Sequence, residues 1–268
     1  MWTKAASDIP WGTNASVAGE LVYAIGDVHG RYDLMTRLLA RIADDVKARG
    51  NGRRPIVVFC GDYVDRGPES AKVLSALIWM RTHAEFDPHF LKGNHEEMML
   101  AYIDDPIDAR GWLNVGGRET LQSYGVTLPD PAASADYYRA RDELLERMPA
   151  SHLRLLQTLS LSHRIGDYAF VHAGVRPGIP LHRQVAADLL WIRDDFLHHK
   201  RRFEKIIVHG HSWDSDQPVI REQRIGIDTG AYRTGVLTAV RLEDGRVECL
   251  QARIDQPGDP VPSVSATL

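Results

Sequence analysis

The chain has 268 residues, 44% of them hydrophobic and 25% charged, with a formal net charge of −4. This composition fits one large globular domain and provides no global basic field to recruit nucleic acid. Two cysteines, Cys60 and Cys249, are too few for a disulfide framework and read as packing residues of a reducing compartment. Residues 1–20 hold no apolar core of signal-peptide length, and apolar runs such as 73–80 are far too short to cross a bilayer; no membrane association is expected, and the expected location is cytoplasmic.

Residues 1–20, with Trp2, Pro10, Trp11 and Gly12, read as an extended lead-in whose tryptophans lie on the domain surface. A first strand over 21–25 leads into Gly26-Asp27-Val28-His29-Gly30. Apolar Leu34, Leu38, Leu39, Ile42 and Val46 then recur at helical spacing over 32–49, closing at Gly50. A second strand over 56–60 precedes a helix over 70–82, and a third over 89–91 precedes a helix over 95–103. This βαβαβ beginning implies parallel pairing.

The pattern changes from 104 to 152, where glycines and prolines surround helical pieces near 118–124 and 137–147. The segment reads either as a helical cap beside the site or as a peripheral packing layer. Gly166-Asp167 marks a hairpin between strands 162–165 and 168–172. Further strands are expected at 205–209, 218–221, 224–228, 236–242 and 247–254. The second half should therefore supply the other sheet of a sandwich. The fold class is α/β in the four-layer α+β sense: a central β-sandwich of mixed sheets flanked by helices, spanning 21–254. The stretch 255–268, with three prolines and few apolar residues, reads as disordered.

Chemistry concentrates behind the strands. The run 56–60 ends in Gly61-Asp62-Tyr63-Val64-Asp65-Arg66-Gly67, which places two carboxylates and a guanidinium between glycines. Alone, this is equally a turn in which Asp65 caps the next helix. Yet Asp27 and His29, Asn94 and His95, His172, and His211 also each follow an apolar run, so five strand ends carry metal-type ligands. Asp27 to Asp62 and Asp62 to Asn94 are 35 and 32 residues, each about one strand-helix unit. Ligands bind at the carboxyl ends of such strands, so these side chains should converge.

GDVHG, GDYVDRG and GNHE, followed in order by HAG and GH over roughly 21–240, resemble the metallophosphoesterases, and within them the phosphoprotein phosphatase branch that includes bacterial and phage serine/threonine phosphatases. The resemblance implies two divalent metal ions, Mn²⁺ as first choice with Fe or Zn²⁺ as alternatives. One is held by Asp27, His29 and Asp62, the other by Asp62, Asn94, His172 and His211. Such a pair shares a bridging water and clamps the phosphoryl oxygens. His95, oriented by Asp65, is the implied general acid; Arg66 and Arg193, with Asn94, face the phosphate.

Many metallophosphoesterases end in GHxH, but Trp213 stands at the second histidine position here, as the phosphatase branch also lacks it. His209 reads as a strand histidine or a support for a ligand, and 228–233 as a structural turn, with Tyr232 or Arg233 reaching substrate as the alternative. The leading expectation is a serine/threonine phosphatase, extending to phosphotyrosine or small phosphoesters. The enzyme alternative is a dinucleoside tetraphosphate hydrolase, whose position matching Asp65 is usually not acidic. The alternative of another class is a catalytically silent module that binds a phosphorylated partner. Oligomeric state is left open.

Overall fold

In the computed structural model, residues 15–254 are described. The lead-in tryptophans and the stretch 255–268 lie outside them. Strands β1 (Val22–Ile25), β2 (Ile56–Phe59) and β3 (Asp87–Phe90) pair in parallel, and β9 (Val236–Glu243) and β10 (Arg246–Arg253) extend the sheet antiparallel beside β1, in the order β10-β9-β1-β2-β3. The second sheet runs β4 (Ser162–Ile165), β5 (Tyr168–Val171), β6 (Ile206–His209), β8 (Arg224–Gly226), β7 (Val219–Ile220). The hairpin at Gly166-Asp167 is present as the antiparallel β4-β5 pair.

The period-two alternation of strands builds the layers. Val22, Ala24, Val58, Val240 and Leu242 of the first sheet meet Tyr168, Phe170, Ile206 and Val208 of the second in one buried cluster. Their neighbours Tyr23, Ile25, Val57, Phe59 and Leu237 turn the other way, into a core with helices α1 (Tyr32–Arg49) and α2 (Ser70–His83). On the far side Ala169, Val171 and Ile207 pack on Leu189 and Phe196. The sandwich of mixed sheets between helices is thus the observed architecture.

One expectation is corrected. The strands 236–242 and 247–254 join the first sheet rather than the second: β9 pairs antiparallel with β1, from Val22 opposite Leu242 to Ile25 opposite Ala239, β10 pairs with β9, and β9 is buried along seven of its eight residues.

After α3 (Asn94–Asp104) comes a 3₁₀ turn at Arg110–Val115, then α4 (Gly117–Ser123), α5 (Ser134–Arg147) and α6 (Ala150–Thr158), the last not anticipated. Trp112, Leu113, Leu121, Leu144 and Leu156 enter the same core as α1 and α2. Short helices α7 (Ala186–Trp191), α8 (Asp194–Leu197) and α9 (Ala231–Thr234) follow. No described helix is long and apolar enough to cross a membrane.

Candidate metal centre

The loops behind β1, β2, β5 and β6, with the start of α3, meet at one point. Asp62 lies at the middle: its Oδ2 is 3.4 Å from His29 Nε2 and its Oδ1 3.5 Å from His172 Nε2. Asn94 Oδ1 is 2.8 Å from His172 Nε2 and 3.0 Å from His211 Nδ1. Asp27 accepts the backbone N–H of His211 at 3.0 Å. Among the described residues, the groups able to hold an ion are His29, Asp62 and His95, and Asp62, His172 and His211, so Asp62 is common to both.

Whether these residues fit divalent cations is decided by their protons. His29 Nδ1 is 2.9 Å from the Val64 carbonyl and His172 Nδ1 is 2.8 Å from the Cys60 carbonyl, so each Nδ1 must donate. Each Nε2 then presents a bare lone pair towards an Asp62 oxygen, an acceptor facing an acceptor, which a cation between them resolves. Burial lowers both imidazoles, His172 to about 4, and raises Asp27 well above the usual carboxylate range; it raises Asp62 and Asp228 to about 6. Neutral nitrogens around clustered buried carboxylates are the donor set of a cation site.

His95 Nδ1 is 2.6 Å from Asp65 Oδ2. That oxygen also accepts the Trp112 indole N–H at 2.7 Å, and Asp65 Oδ1 accepts the Thr120 hydroxyl at 2.7 Å. The Asp65 backbone N–H donates to Thr120 Oγ1 at 2.8 Å and to Ser70 Oγ at 3.1 Å. Asp65 is fully buried, and burial raises its carboxyl to about 8 against the Thr120 and Trp112 bonds; burial likewise lowers His95. The capping use of Asp65 is not seen: α2 has Glu69 at its N-cap position and no side-chain cap.

The arginines flank this arrangement. Arg66 Nη1 is 3.2 Å from His29 Nε2, and Arg193 Nε is 3.3 Å from His211 Nε2. His209 is buried, 2.9 Å from the Gly210 carbonyl and outside both ion-holding groups.

Several contributors escaped sequence reasoning. Glu96 accepts four backbone N–H groups: Tyr63 at 2.7 Å and Val64 at 3.2 Å on Oε1, Gly93 at 2.8 Å and Asp62 at 3.0 Å on Oε2. It pins the Asp62 loop to α3, and its place in GNHE was the available signal. Trp112 and Thr120 carried none, being a single aromatic and a helical threonine in a glycine-rich stretch. Asp228, also buried, lies near Asp27 and accepts the Gly230 N–H at 2.9 Å. Tyr232, whose approach to substrate was the alternative reading of 228–233, lies 5.4 Å ring to ring from His29.

The profile of the family described as calcineurin-like phosphoesterase matches residues 21–229. Over 82% of this chain and 89% of the relative, it is 26% identical to an asymmetrical bis(5'-nucleosyl)-tetraphosphatase of Anoxybacillus flavithermus. Over 83% and 92%, it is 27% identical to serine/threonine-protein phosphatase 1 of Salmonella typhimurium. Among solved structures, a candidate diadenosine tetraphosphatase superposes with a TM-score of 0.61 at 18% identity, covering 90% of this chain and 97% of that one. The cold-active protein-tyrosine phosphatase of a Shewanella species gives 0.52 at 20%, covering 93% and 86%. At such identities the superpositions show a shared fold.

Proposed function

Because the chain belongs to the calcineurin-like phosphoesterase family, we propose that it is a metal-dependent phosphomonoesterase acting on phosphoserine or phosphothreonine in proteins, with phosphotyrosine and small phosphoesters as further substrates. The observation that carries this reading is the His95–Asp65 contact of 2.6 Å, backed by Trp112 and Thr120, because a monoester leaving oxygen needs a positioned proton. Asp27, His29 and Asp62 would hold one divalent cation and Asp62, Asn94, His172 and His211 the other. Such cations supply an activated water and neutralise phosphoryl charge.

The remaining work falls to side chains. Arg66 and Arg193 offer planar donors to the peripheral phosphoryl oxygens. His95 keeps its Nδ1 towards Asp65, so its Nε2 carries the proton to the leaving oxygen. Asp65 shares a proton with Nδ1 and so fixes the ring. Asn94 turns its oxygen to His172 and His211 and leaves its amide nitrogen for substrate or solvent.

A second reading, hydrolysis of dinucleoside tetraphosphates, is favoured by the similarity to the Anoxybacillus flavithermus enzyme over 82% of the chain. Turnover of a phosphoserine peptide and of diadenosine tetraphosphate by the same Mn²⁺-loaded preparation separates the two. The expected result is a higher kcat/KM on the phosphopeptide; the reverse order replaces the first reading with the second.

A further inference from the structure

We propose that Tyr232 is a positioning residue for Arg66, its ring face holding the guanidinium in the plane that phosphate recognition requires. The proposal rests on the reading of Arg66 as a phosphate donor. The Arg66 guanidinium carbon sits 4.6 Å from the Tyr232 ring centroid, and the same ring meets His29 nearly edge-on at 5.4 Å. The tyrosine thus touches both a candidate metal ligand and a candidate phosphate ligand. Its seat is built for it: Trp213 stands perpendicular to it at 6.3 Å between centroids, and Gly230, at φ +63°, packs so tightly on the Trp213 indole that a Cβ there would overlap the ring. Trp213, the residue in the second histidine position of GHxH, therefore backs the aromatic wall.

The need for a second holder follows from the proton assignment. Arg66 Nη1 donates to His29 Nε2 at 3.2 Å, the same lone pair that a cation would take. Once that pair is engaged, Arg66 loses its hydrogen-bond partner on this side. Its backbone is fixed at φ 67° with its N–H on the Gly116 carbonyl at 3.2 Å, which leaves a long side chain free to turn. The electron-rich face of Tyr232 supplies the remaining restraint. A half-buried cation–π contact of this kind contributes roughly three- to tenfold in an equilibrium.

The test is calorimetric titration of inorganic phosphate into the full Mn²⁺-loaded chain, with bound metal and thermal midpoint measured for each variant. Tyr232→Phe keeps the ring face and should hold phosphate within about twofold of the parent. Placing 3,4,5-trifluorophenylalanine at 232 keeps the shape but withdraws electron density, and should weaken phosphate binding roughly three- to tenfold with metal content unchanged. On an Arg66→Ala background the same fluorination should do nothing. Equal phosphate affinity for the Phe and fluorinated chains, or an undiminished fluorination effect without Arg66, overturns the proposal. A parent chain that binds phosphate yet hydrolyses no phosphoester sinks the hydrolase reading instead, and leaves the titrations to decide on Tyr232.

Discussion

Trp112→Phe removes one N–H donor from Asp65 and leaves the rest of the ring close to its present place beside Tyr102. The size of the effect depends on the charge of Asp65. Its folded carboxyl is raised to about 8 by burial, far above the model-peptide value, so it is protonated or shares its proton with His95 below that pH and is an anion above it. Losing a hydrogen bond to a neutral acceptor costs about 0.5–1.5 kcal/mol, and to a charged one about 1.5–3 kcal/mol. The lost indole packing adds a similar amount at every pH. Denaturant unfolding of the metal-loaded variant should therefore show a loss about 1–2 kcal/mol larger at pH 9 than at pH 6. Because the indole bond lowers the Asp65 pKa, its removal raises it, and the alkaline limb of kcat for an alkyl phosphate should move upward. A loss that is equal at both pH values, or a limb that moves downward, refutes the assignment of Asp65 as the group that Trp112 holds.

His95→Asn should keep both cations by metal analysis and lose roughly 10²–10⁴ in kcat on alkyl phosphates, and less on p-nitrophenyl phosphate, whose leaving group needs little protonation. Glu96→Ala strips the acceptor from four buried N–H groups and should lower stability by about 3–5 kcal/mol in urea titration while weakening metal retention. Metal removal by chelator exposes Asp27, Asp62 and Asp228 to one another. Their folded pKa values are raised, Asp62 and Asp228 to about 6, so the stability that these carboxyls contribute to the metal-free chain is lost as pH rises through about 6, against the buried histidines His29 and His172, whose lowered pKa values act in the opposite direction. The stabilisation added by Mn²⁺, read as the gap between loaded and stripped thermal midpoints, should accordingly be wider at pH 8 than at pH 5.5.

What could be read from residues alone was whatever repeats. Apolar runs located β1 and β2, which are buried towards both cores, and helical spacing located α1, which buries one regular stripe. The same logic misplaced β9 and β10: periodicity tells that a strand is covered on both faces, not which sheet covers it. It also missed α6, whose buried residues His152, Leu155 and Leu156 make only two turns of pattern. At the site, the candidate ligands were legible because metal chemistry admits few side chains. The supports were not, since an indole, a hydroxyl or an aromatic face can serve anywhere. Trp112, Thr120 and Tyr232 acquire meaning only from the distances to Asp65 and Arg66.

The backbone explains why the supports are needed. His29, Asp62, Asp65, Arg66 and His211 all have φ between +44° and +74°, a region that costs a non-glycine residue about 1 kcal/mol or more. Glycine at these positions would remove the side chains proposed for the site, so the strain has to be offset by fixed partners. Those partners are present at each point. The Asp62 carbonyl takes the His29 N–H at 2.8 Å, Glu96 takes the Asp62 N–H, Thr120 and Ser70 hold the Asp65 N–H, the Gly116 carbonyl holds that of Arg66, and Asp27 holds that of His211. The segment 104–152 supplies part of this support. Through Trp112, Gly116 and Thr120 it clamps the strained loop that aims His95's partner, and it does so from the same core that seats α1 and α2.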